Sequence, residues 1–362
     1  MEFIVNKAIF SDALSLISTV VPERSARIIL QNLMLTGNSD NSITLAATDL
    51  EIGIKISVEV KDMRDPCQLL LPASRLNLFV KDSYAEELKV TVQDNKAEIK
   101  TKRGRFQIAG QDSIDYPSIP DFKPEGAVFI HGDDLIDAIR KTVFATAKGD
   151  TRYALNGIYL NITESLCEFV ASDTHRLSLV KKKVRNPHGA TTDGIVITKG
   201  MTALERLADG VDMVELNMSA NELCARTPNA SIIIRRVEGM FPRYNDVIPA
   251  KSECVFTVNR EELMHSLHAI RSTTTDESKS VVFSISEGGI RISGANEIVE
   301  GYLDIDAEVS GEAIDIKFNY LFLIEALKNI DSEKATVQYK DGENPARIDV
   351  GDFMYVIMPI NR

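Results

Sequence analysis

Three neighbouring residues near the middle of the chain carry the side-chain types of a hydrolase triad. Ser172, Asp173 and His175 lie within four residues of each other, on one predicted strand. Successive side chains of a strand point to opposite faces, whereas a triad needs all three groups to converge on one bond. Asp49 recurs at the equivalent place earlier in the chain, which indicates a repeated turn. A hydrolase using Asp173 and His175 is therefore only an alternative interpretation.

Other chemistry has less support in the sequence. The cysteines Cys67, Cys167, Cys224 and Cys254 are scattered, with no Cys-x-x-Cys pair and no His at ligand spacing. No Walker A run and no glycine-rich dinucleotide fingerprint occurs. We therefore expect no metal, no cofactor and no catalytic activity of its own.

Composition narrows the class of protein further. No window approaches the roughly 18 apolar residues of a membrane span, and the N-terminus lacks signal-peptide flanks. These features predict a cytoplasmic protein that does not bind membranes. The net charge of −12 argues against indiscriminate nucleic-acid binding, because that binding needs clustered Lys and Arg. To bind a nucleic acid, the protein would need its basic residues gathered on one surface.

The elements that position these residues recur along the chain. A Phe-led strand at Phe3, Phe129 and Phe256 feeds an amphipathic helix, and the pattern repeats with a period of roughly 125 residues. Each helix is followed by alternating strands, a second helix and further strand pairs. The half-domain of one helix and three to four strands thus occurs six times. We predict an α+β chain of three domains, 1–122, 123–250 and 251–362, with proline-rich linkers after the first two.

Four runs of sequence resemble one family over the whole chain. They are DTRYALNG (150–157), SDTHRL (172–177), GMFPRYNDVIP (239–249) and VIMPINR (356–362). In their order and spacing they resemble the bacterial sliding clamps, the DNA polymerase III beta subunits. The resemblance implies three tandem clamp domains, each a pseudo-two-fold pair of helix-plus-strands units. It also implies a head-to-tail homodimeric ring, with helices lining the hole and sheets outside.

The same resemblance implies a function and partners. A sliding clamp encircles duplex DNA without reading its sequence and tethers the replicative polymerase as a processivity factor. Its expected partners are the DNA polymerase III catalytic subunit, the clamp loader and other proteins with a clamp-binding motif. A repeat scaffold that never meets DNA is the second alternative.

Basic residues in or beside the helical windows are the predicted DNA-facing set. Acids in those windows lie mostly in first turns, where they favour the helix dipole. The other interpretation is that these are ordinary solvated faces of amphipathic helices. The set is Arg24, Arg75, Lys81, Arg140, Lys141, Lys148, Lys199, Arg206, Arg260, Arg271 and Lys328.

A pocket for partner peptides is implied between the second and third domains. Apolar walls with a few polar anchors suit the docking of a short apolar motif. The matching residues are Arg152, Leu155, Ser172, Thr174, His175, Arg176, Leu177, Pro242, Val247, Pro345, Val356, Met358, Pro359 and Ile360. The chain departs from the family pattern at Ala154, where tyrosine is common, at Thr174, where glycine is common, and at Asp246, where a basic residue can occur.

The resemblance also implies a ring interface. A basic and apolar edge in the first domain would meet acids in the third, and such complementary charge selects the partner and its orientation. The residues are Lys102, Arg103, Arg105, Phe106 and Ile108 with Ser272, Thr273, Glu297 and Glu300. Ser272 and Thr273 stand where apolar anchors can occur.

Overall fold

A computed structural model describes residues 1–149, 153–275 and 277–360. Its α-helices are α1 (Lys7–Ile17), α2 (Ala73–Asp82), α3 (Gly132–Val143), α4 (Thr198–Ala208), α5 (Arg260–Ile270) and α6 (Tyr320–Leu327). None of these helices is long and apolar enough to cross a membrane. The repeat predicted from the sequence is present, with two helices in each copy.

The strands also recur in each copy. In copy 1 they are β1 (Glu2–Asn6), β2 (Asn32–Gly37), β3 (Ser42–Thr48), β4 (Ile52–Glu59), β5 (Lys61–Arg64), β6 (Gln68–Pro72), β7 (Glu87–Gln93), β8 (Lys96–Lys100) and β9 (Arg105–Ala109). In copy 2 they are β10 (Val128–His131), β11 (Gly157–Ile162), β12 (Leu166–Ser172), β13 (Arg176–Lys183), β14 (Thr192–Ile197), β15 (Met213–Met218), β16 (Glu222–Arg226) and β17 (Ala230–Val237).

Copy 3 continues with β18 (Val255–Asn259), β19 (Ser280–Ser286), β20 (Gly289–Ala295), β21 (Glu300–Ile305), β22 (Ala307–Ser310), β23 (Ile314–Asn319), β24 (Lys334–Gln338), β25 (Ala346–Val350) and β26 (Phe353–Ile357). Strands alternate buried residues with exposed or half-buried ones where one face is covered, as in β7 and β15. The apolar spacing of the first helices is confirmed, since Leu14, Ile17, Leu263 and Leu267 are all buried.

Backbone contacts divide the chain into two compact units. The first contains residues 1–136, 184–192 and 199–236, and the second contains residues 137–183, 193–198 and 237–362. Each unit therefore combines parts of two successive copies, because strands of both copies share one sheet. The division does not test the domain boundaries at 122 and 250, which stay a prediction.

The first unit contains two antiparallel sheets. One has the strand order β5, β1, β7, β8, β9. The other runs β6, β2, β3, β4, β17, β16, β15, β10. Copy 1 contributes β6, β2, β3 and β4, and copy 2 contributes the other four strands, so β4 and β17 form the seam. We call this ladder, which pairs Ile52 with Ile234 and Ile56 with Ala230, joint 1.

The second unit is built in the same way. Its larger sheet runs β11, β12, β13, β26, β25, β24, β18, β22. Its smaller sheet has the order β21, β20, β19, β23. The seam between copies 2 and 3 pairs β13 with β26, from Arg176 opposite Ile357 to Val180 opposite Phe353. We call this ladder joint 2.

Asparagine caps start the first helix of copies 1 and 3. The side chain of Asn6 accepts hydrogen bonds from the amides of residues 8 and 9 at 2.9 and 3.2 Å, and Asn259 accepts from residues 261 and 262 at 3.0 Å. Copy 2 has Gly132 at this place. A Cβ on Gly132 would lie 2.0 Å from the carbonyl oxygen of Val211. Close backbone contact therefore excludes an asparagine cap from copy 2.

We predict that Gly132→Ala lowers stability by about 1–3 kcal/mol, because the added methyl forces the backbone around Val211 to shift. The urea midpoint of unfolding, followed by circular dichroism, measures the effect. Gly288→Ala is the matched control, since a Cβ there meets nothing within 4 Å. Equal midpoints for the two variants would show that the contact at Gly132 is unimportant.

Candidate functional site

The three residues that resemble a triad form a turn. Oδ1 of Asp173 accepts hydrogen bonds from the amides of His175 and Arg176 at 3.0 and 3.1 Å. The Ser172 hydroxyl donates to the Arg176 carbonyl oxygen at 2.8 Å. Both side chains are thus used to close the turn between β12 and β13. This geometry gives no support to a serine nucleophile activated by His175.

The same turn occurs in the other two copies. Asp49 accepts from the amides of residues 51 and 52 at 3.0 and 2.7 Å. Asn296 accepts from the amides of residues 298 and 299 at 2.8 Å. A carboxylate or amide oxygen that binds the amides two and three residues on is an Asx turn. The interpretation of Asp49 and Asp173 as repeat-encoded turn residues is therefore confirmed.

Arg176 is a buried residue at joint 2. Its guanidinium donates to Asp173 at 2.9 Å, to the Phe144 carbonyl oxygen at 2.7 Å and to Glu325 in α6. The guanidinium carbon also lies 4.2 Å from the ring centroid of Phe322. Arg176 is only 6% exposed. It links the turn of copy 2 to the helix of copy 3 and is covered from solvent.

The side chains of β13 point alternately to two faces of the sheet, where they contact different parts of the protein. Ser178 donates to the carbonyl oxygen of Lys141 at the end of α3, on the side where Arg176 reaches Phe144. Leu177 and Leu179 belong instead to an apolar cluster. Strand alternation explains the division. Leu177 can therefore contribute to a surface site, whereas Arg176 supports that site from behind.

A second group of charges supports joint 2 from the same side as Arg176. Lys182 binds Asp137 at 2.6 Å and Asp352 at 2.5 Å, while Lys141 binds Asp137 at 2.8 Å and Asp331 at 3.4 Å. Burial acts to raise the pKa of Asp137, but the bonds from Lys141 and Lys182 outweigh it, and the pKa is lowered. The carboxylate therefore stays ionised and bridges α3 to β13.

We call the apolar cluster at joint 2 the floor of the predicted pocket. Leu177 and Val356, opposed in joint 2, pack with Val170, Leu179 and Tyr244. Tyr159, Phe241, Ile248 and Met354 pack against them, and the rings of Tyr159 and Phe241 stack with centroids 5.1 Å apart. The linker after β17 thus lies on the sheet.

A hydrogen-bonded group holds that linker in place. The Tyr244 hydroxyl donates to Glu168 at 2.7 Å, and Lys181 binds the same carboxylate at 2.6 Å. Burial followed by the bond to Glu168 raises the pKa of Tyr244 above its usual value. The linker therefore has an anchor beside the apolar floor.

Five of the predicted pocket residues lie beside this floor. Thr174, His175, Pro242, Val247 and Met358 are exposed. The amide of Met358 donates to the His175 carbonyl oxygen at 2.8 Å, which brings the C-terminal segment against the turn. We use the name groove for these five residues together with the floor residues Leu177 and Val356.

The remaining predicted pocket residues differ in position. Arg152 lies outside the described residues. Leu155 is buried in the 3-10 helix Tyr153–Leu155, and Pro359 is also buried. Pro345 precedes β25 beside β26, and the amide of Ile360 donates to the Lys317 carbonyl oxygen at 2.8 Å. Leu155 and Pro359 are thus covered, whereas Pro345 and Ile360 are half-buried.

Two departures from the family pattern have physical correlates. Thr174 has φ of +79°, a conformation that costs a β-branched residue energy and that glycine adopts freely. Ala154 lies 3.9 Å from where a Cβ of Gly239 would stand, so its small side chain faces the linker. The third departure, Asp246, is exposed in the 3-10 helix Tyr244–Val247.

Joint 1 lacks an apolar floor like that of joint 2, because the linker after copy 1 covers the equivalent position. The repeated turns make Ile52 equivalent to Arg176, so Gly53 corresponds to Leu177. A Cβ on Gly53 would lie 2.9 Å from Cγ2 of Ile119. Ile119, from the proline-rich linker after copy 1, therefore occupies the space that the floor leucine has at joint 2.

The predicted DNA-facing residues fall into two groups. Lys141 is held by two aspartates, Lys199 binds Asp49, and Arg260 donates to the Leu327 carbonyl oxygen at 3.3 Å. These three serve the fold. Lys199 is nevertheless exposed, as are the other eight: Arg24, Arg75, Lys81, Arg140, Lys148, Arg206, Arg271 and Lys328.

The predicted interface residues lie at two sheet edges. β9 ends the five-stranded sheet and β21 ends the four-stranded sheet. Phe106 stacks on Phe79 of α2 with ring centroids 4.2 Å apart, and Ile108 is buried. Lys102, Arg103, Arg105, Glu297 and Glu300 are exposed.

The helix-end positions Ser272 and Thr273 differ from each other. Ser272 is exposed. Thr273 is 3% exposed, and its hydroxyl donates to the Ile270 carbonyl oxygen at 2.7 Å, so it caps α5 and is covered within the chain.

Exposed apolar residues near these edges were missed by the sequence interpretation. Leu78 on α2 is 57% exposed, beside Phe79. Ile298 and Tyr302, at β21, are 92% and 60% exposed. Their sequence signal is weak, because one apolar residue on a polar helix face or in an edge strand has no periodicity. In the part of the chain that the structure describes, no group of three His, Cys, Asp or Glu residues is placed to hold a metal.

Family models match the chain in three consecutive parts. They are described as the N-terminal, central and C-terminal domains of the DNA polymerase III beta subunit, and they match residues 1–120, 129–243 and 245–361. The chain is 27% identical to the beta sliding clamp of Vibrio cholerae over 369 residues, covering 99% of the chain and 100% of the relative. It is 26% identical to that of Synechococcus elongatus over 373 residues, covering 99% of each.

Solved structures show the same fold. A sliding clamp of Pseudomonas aeruginosa, bound to griselimycin, superposes with a TM-score of 0.95 at 26% identity, covering 100% of both chains. The DNA polymerase III beta subunit of Thermotoga maritima superposes with a TM-score of 0.94 at 23% identity, covering 100% of this chain and 99% of that one.

We predict that Asp173→Ala destabilises the protein by about 3–5 kcal/mol, because it removes the acceptor of two backbone amides and leaves the buried Arg176 charge partly unpaired. Asp173→Asn keeps the acceptor, as Asn296 does in copy 3, and is expected to cost less than half as much. Thermal unfolding of both variants measures the difference. Equal losses for Ala and Asn would show that the turn acceptor has no separate role.

Proposed function

The chain belongs to the DNA polymerase III beta subunit family, and we propose that it encircles duplex DNA and tethers the replicative polymerase there. Family matches along the whole chain, in domain order, carry this proposal. Family members are sliding clamps without catalytic activity. The turn formed by Ser172, Asp173 and His175 agrees with that role, since these side chains serve the backbone. We place the protein in the cytoplasm.

The proposed ring follows from how the sheets end. Joints 1 and 2 join successive copies by strand pairing, while β9 and β21 end their sheets at the two ends of the repeat. An open edge invites pairing with another chain, and two copies joined head to tail close both edges. The basic β9 edge and the acidic β21 edge favour this orientation over like-to-like contact. A homodimer is therefore the expected assembly.

Contact with DNA is assigned to the exposed basic set. Arg24, Arg75 and Arg206 are among the exposed members of this set, whereas Lys141 and Lys199 bind aspartates. Contacts to phosphates position a duplex and carry no sequence information. Since the chain is acidic overall, retention on DNA would depend on topology more than on affinity.

The groove is proposed to bind short apolar peptide motifs. Val247 and Met358 are 53% and 37% exposed over the buried Leu177 and Val356, so an apolar side chain entering between them would be desolvated. The partners of the groove would be the polymerase catalytic subunit, the clamp loader and other proteins with such a motif. Because Ile119 covers the equivalent place at joint 1, one groove is expected per protomer.

We predict that the protein, once loaded by its clamp loader, stays on nicked circular DNA and is lost when the circle is cut, because a ring slides off a free end. Gel filtration of the loaded DNA before and after linearisation measures retention. A DNA circle blocked at both ends of the cut site by bound protein is the control, and it should keep the ring. Equal retention on open linear and circular DNA would contradict encirclement, and no retention on either form would favour a scaffold that never meets DNA.

We predict that the pair Val247→Ala and Met358→Ala weakens binding of a polymerase-derived motif peptide by about 5- to 100-fold, the usual effect of truncating central interface residues by about 1–3 kcal/mol. Fluorescence anisotropy with a labelled peptide measures the affinity. Ile114→Ala is the matched control, because Ile114 is equally aliphatic and 84% exposed but lies in the linker after copy 1. An unchanged affinity in the double variant would remove the groove from the binding site.

A further inference from the structure

Joints 1 and 2 have the same register, so each residue of one ladder has an equivalent in the other. Each ladder contains five opposed pairs, and one further backbone bond follows it. In joint 1 the amide of Ser57 donates to the carbonyl oxygen of Asn229 at 2.8 Å, and in joint 2 the amide of Lys181 donates to that of Asp352 at 3.1 Å. Ser57 is therefore equivalent to Lys181, and Asn229 is equivalent to Asp352.

The helices that pack on these joints also begin at equivalent places. Helix α1 packs on β4 of joint 1, and α3 packs on β13 of joint 2. Their first residues are Lys7 and Gly132, whose amides donate at 2.9 and 3.0 Å to the residue that precedes β7 in copy 1 and β15 in copy 2. Five residues further on, each helix has an aspartate, Asp12 in α1 and Asp137 in α3. These two aspartates therefore occupy equivalent positions.

The two aspartates differ in their partners. Asp137 binds Lys182 at 2.6 Å and Lys141 at 2.8 Å. At joint 1 the position of Lys182 is occupied by Val58, and that of Lys141 is occupied by Leu16. Among the residues that the structure describes, Asp12 has no ion pair, and it is exposed. Joint 1 therefore has the carboxylate of joint 2 without either ammonium group.

An open cleft lies beside Asp12. It has a volume of about 660 Å³ and is bounded by α1, by the end of α4 and by one end of joint 1. At joint 2 the side chain of Lys182 binds both Asp137 and Asp352. Their equivalents, Asp12 and Asn229, both line the cleft. The space that a lysine side chain fills at joint 2 is thus open at joint 1.

The walls of the cleft are largely aliphatic. Leu16 and Leu207 line it, and so does Ile9, which is 54% exposed. Covering such a side chain is favourable, because its apolar area is removed from water. A methylene chain that lies against these walls would provide that cover.

Carboxylates outnumber cations at the rim of the cleft. Asp12, Asp209 and Asp212 line it and are exposed, whereas Arg206 is the only basic residue among the described lining residues. Asp212 also lies 3.5 Å from the imidazole of His131. A ligand that complements this lining therefore carries positive charge on an aliphatic body, as a lysine side chain does.

A metal ion fits the cleft less well than an organic cation. Ca²⁺ takes about six to eight oxygen ligands and Mg²⁺ takes about six. Among the residues that the structure describes, no group of three His, Cys, Asp or Glu side chains is placed to hold a metal. An ammonium group can bind a single carboxylate, because one charge-assisted hydrogen bond is enough to hold it.

We propose that this cleft binds an aliphatic diamine or polyamine. One ammonium group binds Asp12 in the way that Lys182 binds Asp137, and the methylene chain lies along Ile9 and Leu16. A second ammonium group reaches the acidic rim. Occupancy of the cleft depends neither on the groove at joint 2 nor on the proposed encirclement of DNA.

Calorimetric titration with spermidine at physiological ionic strength tests the site. We expect saturable binding at one site per chain. Asp12→Asn should weaken that binding at least about tenfold, because it removes the charge from a charge-assisted hydrogen bond.

The matched control separates this site from general attraction. Because the chain has a net charge of −12, any polyamine is drawn to its surface. Asp94→Asn makes the same change of charge at an exposed aspartate in the turn between β7 and β8. Its affinity for spermidine should equal that of the unaltered protein.

A lysine placed in the cleft gives an independent check. Leu16→Lys introduces an ammonium group where joint 2 has Lys141, so it should bind Asp12, fill the cleft and abolish spermidine binding. Circular dichroism verifies that the variant folds, and Asp12→Asn decides alone if it does not. A neutral diol of the same length as spermidine tests the need for charge, and we expect it not to bind.

Several results would overturn the proposal. Absence of saturable spermidine binding would exclude the site, and equal affinities of Asp12→Asn and Asp94→Asn would show only attraction to an acidic surface. Equal binding of the neutral diol would show an apolar site that needs no carboxylate. Undiminished binding by folded Leu16→Lys would place the ligand elsewhere. Self-association that depends on Asp12, without spermidine binding, would assign the cleft to a second copy of the chain instead.

Discussion

Backbone pairing across the seams between successive copies is the interaction on which the rest of this structure depends. Strand β13 is hydrogen-bonded to β26 along joint 2. One face of β13 contacts α3 and α6, and the other face contacts the linker after β17. A shift by one residue would exchange Arg176 with Leu177, placing a charge in the apolar floor and a leucine against Glu325. The groove can therefore exist only while the register of joint 2 is kept.

Buried charge gives joint 2 its specificity. Arg176 is covered, yet its donors reach Asp173, the Phe144 carbonyl oxygen and Glu325. A buried cation without partners is strongly destabilising, so only the arrangement that brings all three acceptors to the guanidinium is tolerated. Leu177 adds apolar area on the opposite face but would accept several neighbouring arrangements. The apolar floor supplies stability, while the arginine selects one geometry.

How far the sequence predicts this structure depends on the range of each interaction. The spacing of Leu14 with Ile17 predicted a helix, and the recurrence of Asp49 and Asp173 predicted a turn, because both arise from contacts within a few residues. The burial of Arg176 depends on Glu325, 149 residues away, and no local pattern reports it. The pairing of Lys141 with Asp331 is likewise invisible in a list of basic residues. Residue type predicts what a side chain can bind but not whether a distant partner has already bound it.

The Asx turns of copies 1 and 2 have an aspartate, whereas the turn of copy 3 has an asparagine. Asp49 binds Lys199 and Asp173 binds Arg176, at seams that form when the chain folds. Copy 3 has Asn296, whose amide donates to the carbonyl oxygens of Ser272 and Thr274 at 3.2 and 3.4 Å. A carboxylate without a cation partner at this position would carry an unpaired charge, whereas a neutral amide satisfied within its own chain carries no such cost. Asparagine at this turn therefore suits a strand at the end of its sheet, where the chain supplies the turn with no cation partner.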